Sequence, residues 1–223
     1  MIMGTQAKHK NHKRAPLVAI MGVDGSGKST VIEAIKEEFE TNQNRDVHIW
    51  YRNKKFVNAS APIAHHNLPP YSRIVSIGKL LYKAIRWTFS YYTHIATLRE
   101  KGSLVLCDHF YFYYIAIDPL RFRYGGPQWL AWEVAKRIPR PNISILLTVT
   151  FDVVNQRKEE LPRETMYTLI QAHQQLEQKL PDVYSIDANR SLHEVVHEVL
   201  EIINNKTETS ESPNHRVVNS YNL

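Results

Sequence analysis

The chain of 223 residues carries 43% hydrophobic and 22% charged residues, values that suit one globular domain whose core needs no covalent staple. Its single cysteine, Cys107, excludes an intramolecular disulfide and fits a reducing, cytoplasmic setting. The formal charge of +6 favours anionic partners without separating nucleotides from nucleic acid or acidic lipid.

Residues 1–14 lack periodicity and predict a flexible basic arm with Lys8, Lys10, Lys13 and Arg14, most simply a solvated tail. Pro16–Met21 is an unbroken apolar run, the pattern of a strand buried on both faces. The apolar stretch Ala15–Val23 is too short to span a bilayer, which needs about 20 residues. No secretory signal is visible. Lys28–Thr41 has helical spacing through Val31, Ile32, Ile35 and Phe39, and Val47–Tyr51 predicts a second strand. Arg73–Lys101 predicts a long helix with one stripe of Ile74, Ile77, Leu81, Ala84, Ile85, Thr88, Tyr92 and Ile95. Lys79, Lys83 and Arg86 form a basic stripe opposite it. That pattern raises the question of a membrane surface, but a core or dimer-interface helix is the expected reading.

Ser103–Asp108 and Ile143–Val149 predict two more strands, with a helix over Pro127–Ile138 between them that starts on proline. Thr165–Leu180 reads as a helix, Val183–Ile186 as a short fifth strand, and Leu192–Ile203 as a last helix capped by Ser191. From Asn205 the chain turns polar and predicts a disordered tail over 205–223. The folded domain is thus expected over residues 15–204. Strands alternating with helices imply an α/β fold, a five-stranded parallel sheet between two helical layers. Ligands of such sheets sit at the carboxyl ends of the strands.

The decisive motif follows the first strand. Gly22-Val23-Asp24-Gly25-Ser26-Gly27-Lys28-Ser29-Thr30 matches the P-loop spacing. Gly22, Gly25 and Gly27 let the backbone curl so that successive N–H groups point at an anion. The helix beginning at Lys28 adds its positive end. Lys28 would reach the β- and γ-phosphates of ATP, and the Ser29 hydroxyl would bind Mg²⁺. An apolar strand before the loop and an amphipathic helix after it are the required context.

Leu104–Asp108 is an apolar run ending in a carboxylate. Asp108 would hold magnesium through water or orient the acceptor, the alternative being an ordinary turn cap. Phe110, Tyr111, Phe112, Tyr113 and Tyr114 follow; they would stack on a flat acceptor or simply fill core. Arg121 and Arg123 flank a glycine turn and would clamp an anion or remain solvated. His65-His66 has no partner carboxylate nearby in sequence, so no structural metal site is expected.

These residues together resemble the thymidylate kinases, and more closely the thymidylate kinase-like proteins that diverge from them, over about Leu17–Ile203. The resemblance rests on Met21–Thr30, on Tyr51-Arg52, on Asp108-His109-Phe110, on Gln156-Arg157-Lys158-Glu159 and on Val183–Ala188. It implies that Asp24 stands near the transferred phosphate, that Arg52 holds the acceptor's phosphate, and that Arg157 belongs to a lid over ATP. His109 and Phe110 fall where that family places Asp-Arg-Tyr acceptor residues, and Val183–Ala188 matches its last strand and the loop over adenine. Two residues depart from the pattern. His109 puts a titratable imidazole, of unperturbed pKa about 6.5, where the family has arginine. Asn53 stands where it has an acid before proline.

The implied reaction is in-line transfer of the ATP γ-phosphate to a nucleoside monophosphate, with dTMP the leading acceptor. Lys28, Asp24, Arg157 and Asp108 would be catalytic, Ser29 and Asp108 would hold magnesium, and Arg52, His109, Phe110, Arg121 and Arg123 would bind the acceptor. Another metabolite or a sugar as acceptor, or a non-catalytic nucleotide-binding module, are the alternatives. The resemblance also implies a homodimer paired through helices. The Asn-Lys pairs at Asn53 and Asn205 lack the Asp of a guanine-specific GTPase, and no acid follows Asp108 as in motor ATPases. With no recognisable reading helix or sheet motif, no nucleic-acid partner is expected, and no membrane association either.

Overall fold

The computed structural model describes residues 14–51, 68–157, 163–180 and 182–209. Five strands form one parallel sheet in the order β2-β3-β1-β4-β5. They are β1 (Leu17–Gly22), β2 (Val47–Tyr51), β3 (Leu104–Asp108), β4 (Ile143–Thr148) and β5 (Val183–Asp187). All six residues of β1 are buried, because the strand lies in the middle of the sheet with helices on both faces. Its side chains alternate: Val18 and Ile20 enter one core, Leu17, Ala19 and Met21 the other.

The first core is closed by α1 (Lys28–Thr41) through Val31, Ile32, Ile35 and Phe39, and by α8 (Leu192–Thr209) through Val195, Val199 and Ile203. Ser191 caps α8 as expected. Its hydroxyl accepts from the Glu194 amide at 3.4 Å, and a Glu194 carboxylate oxygen accepts from the Ser191 amide at 3.1 Å, a capping box. The helix continues to Thr209, so the expected boundary at residue 204 falls inside it. Beyond Ile203 the α8 residues are polar, and helix propagation rather than core contact carries them.

The second core is covered by α2 (Arg73–Ser90), α4 (Tyr111–Ile117), α5 (Gln128–Arg137) and α7 (Arg163–Lys179). After α2 the helix widens into a π-turn over Tyr91–Ile95 and resumes as α3 (Ala96–Glu100). Along this long helix the expected apolar stripe divides between core and surface, with Ala84 and Ile95 of that stripe buried. Ser76, Leu80 and Ala84 are buried, whereas Ile74, Leu81, Ile85 and Tyr92 are exposed. The helix is apolar along two lines, and periodicity cannot say which line faces the sheet.

Two short helices escaped the periodicity: α4, and α6 (Phe151–Arg157). The aromatic run in α4 has no period to read, and α6 spans only seven residues. Among the described residues no helix is long and apolar enough to cross a membrane.

Candidate active site

The loop after β1 shows why its glycines stand where they do. A Cβ on Gly22 (φ +147°) would lie 2.6 Å from Ser26 Oγ and 2.7 Å from the Leu147 carbonyl oxygen. Gly25 and Gly27 are left-handed, with φ of 87° and 88°, a region side chains disfavour. The Ser26 amide donates to the Val23 carbonyl at 3.1 Å and closes the curl. α1 then starts at Lys28, so its free amides and dipole point into the loop. The Lys28 ammonium, 7% exposed, donates to the Val23 carbonyl at 2.7 Å and lies 3.7 Å from an Asp24 carboxylate oxygen. Ser29 and Thr30 are exposed in the first turn of the helix.

The second wall comes from β3. Pairing of β1 with β3 sets Asp108 opposite Ile20, two residues before the loop. His109 then adopts a left-handed conformation, φ +66°, which is uncommon for a residue with a side chain. Three bonds hold this turn. The His109 amide donates to the Ile20 carbonyl at 3.2 Å. Its Nδ1 donates to an Asp108 carboxylate oxygen at 2.5 Å, and its carbonyl accepts from the Cys107 thiol at 3.4 Å. Burial pushes the Asp108 carboxyl up, but the His109 hydrogen bond and charge, with the Lys28 ammonium, outweigh it and leave the group below its usual range. His109 is lowered chiefly by burial, with Lys28 adding to the effect against the Asp108 hydrogen bond.

Beside this turn lies a pocket of about 320 Å³. Trp50 at the end of β2, Trp87 of α2 and Tyr111 of α4 supply aromatic walls, and Lys83 and Arg86 of α2 supply charge. His109 and Phe110 line it as well. Phe110 is 1% exposed and meets Trp87 and Tyr113 edge-on at 5.5 and 4.7 Å, so it backs the pocket from the core. Phe112 and Tyr113 are buried too. The aromatic run is therefore mostly core, and half-buried Tyr111 is its main contribution to the wall.

The other expected residues are distributed unevenly. Arg123 does not line the pocket. Its guanidinium donates to the Pro69 carbonyl at 2.9 Å and lies 4.1 Å from the Tyr71 ring centroid, fastening the segment before α2. Arg121 sits in a single 3₁₀ turn, Leu120–Phe122. Arg157 ends α6, just beyond the carboxyl end of β4. Arg52, Asn53, His65, His66, Lys158 and Glu159 lie outside the described residues. After β5 the Ala188 amide donates to the Thr148 carbonyl at 2.8 Å, and Asn189 Oδ1 accepts from the Thr150 amide at 3.0 Å. That turn lies on the β4 side of the loop.

Sequence reasoning missed Trp50, Lys83, Arg86, Trp87 and Ser90 as pocket residues. A signal for two of them was present in the basic stripe of the long helix: Lys83 and Arg86 border the pocket, whereas Lys79 lies over the Tyr71 ring. The oxygen donors Ser29 and Asp108 suit magnesium, a hard cation that takes few protein ligands and keeps waters and phosphate oxygens. Among the described residues no cluster of three His, Cys, Asp or Glu groups forms a metal site.

A strand–glycine loop–helix with a buried lysine at the helix start, at the centre of a 2-3-1-4-5 parallel sheet, marks the P-loop nucleotide-binding class. The family model for thymidylate kinase matches residues 20–199. The chain belongs to that family, and so is an ATP-dependent kinase acting on a nucleoside monophosphate. Among solved structures, thymidylate kinase from Candida albicans superposes with a TM-score of 0.61 at 17% identity, covering 87% of this chain and 93% of that one. This likeness shows the same fold. No curated protein sequence matches the chain.

Proposed function

We propose that the chain transfers the γ-phosphate of ATP to dTMP. The observation that carries this reading is the phosphate loop with Asp108 at its side, adjoining an aromatic-walled pocket of about 320 Å³. Pockets of this size and lining suit one flat base with its sugar and phosphate. Lys28 and the loop amides would hold the β/γ-phosphates, with Asp24 near the transferred group and Arg157 closing over it. Ser29 and Asp108 would hold Mg²⁺, which would neutralise charge developing on the transferred phosphate. His109 and Phe110 would border the acceptor, and Arg52 and Arg121 remain candidates for its phosphate. The acceptor phosphate is already ionised, so no strong base is required. The test is ADP release with dTMP against other nucleoside monophosphates, nucleosides and sugars. The expected result is turnover with dTMP above every other acceptor. Turnover confined to a sugar or free nucleoside, or tight ATP binding with no transfer to any acceptor, would remove this reading.

We also propose that the kinase is a cytoplasmic homodimer joined along the outer line of α2. Ile74, Val75, Leu81, Tyr82, Ile85 and Phe89 are all exposed on that helix, and such an apolar stripe is the usual mark of an interface. Ile85, 71% exposed, makes no contribution to the core, so Ile85→Glu should leave the helical circular-dichroism signal intact. Light scattering on the eluting peak should show the wild-type chain at twice the monomer mass and the variant at the monomer mass. A monomeric wild-type chain at micromolar concentration would end this idea.

A further inference from the structure

Lys83, Arg86, Trp87 and Ser90 share one face of α2, at i, i+3, i+4 and i+7, and all four line the pocket beside the phosphate loop. None of the described residues lining that pocket is acidic. Its third basic group, His109, is bonded at 2.5 Å to the Asp108 carboxylate, which cancels whatever positive charge the imidazole takes up. A phosphate monoester, by contrast, carries close to two negative charges at neutral pH. Binding one here calls for a fixed cation from elsewhere in the wall. The Lys83 ammonium is 4.3 Å from the centroid of the Tyr111 ring, a cation–π contact. Tyr111 lies two residues beyond His109, so the contact sets the ammonium beside a wall residue of the pocket.

We propose that Lys83 is an acceptor-binding residue whose ammonium supplies positive charge that holds the acceptor's phosphate. The inference rests on this pocket being the acceptor site. The four-carbon stem lets the head group follow the ligand, and an ammonium acts as a point charge without demanding the planar match of a guanidinium.

The full chain is titrated with dTMP, thymidine and ATP, followed by tryptophan fluorescence, since Trp50 and Trp87 line the pocket. K83Q is expected to lose about tenfold in dTMP affinity at low ionic strength. The gap to wild type should narrow at high salt, as screening predicts. Thymidine, which lacks the charge, and ATP should bind K83Q as they bind the wild type, and K83R should keep most of the dTMP affinity. In turnover, K83Q should raise the KM for dTMP with little change in kcat. An unchanged dTMP affinity in K83Q overturns the inference. So does an equal loss for thymidine or ATP, which would mark the side chain as structural, and so does a wild-type chain that binds no dTMP. If the wild type binds dTMP in a Lys83-dependent way yet transfers no phosphate, the kinase proposal falls and this one stands. If it phosphorylates dTMP with a KM indifferent to Lys83, the reverse holds.

Discussion

Lys28→Ala is expected to lower kcat about a thousandfold, close to 4 kcal/mol of transition-state stabilisation, while the protein stays folded. The ammonium is 7% exposed and is aimed by the Val23 carbonyl at 2.7 Å and Asp24 at 3.7 Å. It is therefore positioned before any ligand arrives and costs little reorganisation when charge develops on the transferring group. In a site largely closed to water the interaction is worth far more than at the surface. Stability should change much less, by about 1 kcal/mol, because only one hydrogen bond and a partly screened ion pair are lost. Lys28→Arg should not restore the rate, since a planar fork does not reproduce the point contacts the ammonium makes with the Val23 carbonyl and Asp24. Stopped-time assays of ADP formation and a thermal melt on the same preparation check both halves. A turnover within a few fold of wild type would remove Lys28 from the mechanism.

Arg99→Ala should be the most destabilising of the polar substitutions. Arg99 is 7% exposed at the end of the long helical stretch. Its Nε donates to the Ala15 carbonyl at 2.6 Å, one terminal nitrogen donates to Asn142 Oδ1 at 2.6 Å, and the other bonds the Tyr91 hydroxyl. The Ala15 amide returns a bond to the Arg99 carbonyl at 2.9 Å, and Asn142 Oδ1 also accepts from the Leu17 amide at 3.0 Å. One guanidinium thus ties the start of β1 to the start of β4 and to the π-turn. Truncation leaves several sheltered oxygens without their donor, at about 1–3 kcal/mol each before relaxation. Burial chiefly lowers the Arg99 pKa, so part of that loss is offset by no longer sheltering a charge. A net loss of about 3 kcal/mol follows, a fall of about 6–12 °C in the melting midpoint for a chain of this size. Arg14→Ala provides the contrast. Arg14 pairs with Glu100 at 2.5 Å, but the two side chains are 58% and 52% exposed, so its loss should stay within about 1 kcal/mol. Calorimetric melts of the two variants should differ by several degrees. Equal midpoints would show that Arg99 carries no special share of the fold.

Much of the site was legible without coordinates. The glycine spacing, the apolar strand and the helix at Lys28 marked the phosphate loop, because a curl with positive φ at Gly22, Gly25 and Gly27 is one that side chains disfavour. All five strands fell close to where they were predicted, and for β1, β3 and β4 the reason is plain: strands buried on both faces need a nearly unbroken apolar run and leave that mark. The capping box at Ser191 was equally local. The acceptor side was not legible. Lys83 and Arg86 gave only a basic stripe, because sequence shows that a helix has a basic face but not what stands beside it.

The sequence by itself determined where strands and helices alternate along the chain and the loop that takes the triphosphate, for each is written in the pattern of near neighbours. Only the tertiary structure decided which of two apolar lines on α2 faces the core, that Arg123 braces Tyr71 instead of the acceptor pocket, and that Trp50, Trp87 and Lys83 converge beside His109. The reason is physical. A periodic pattern fixes the angle between residues on one helix, while the rotation of that helix against its neighbours is set by packing with segments far away in sequence.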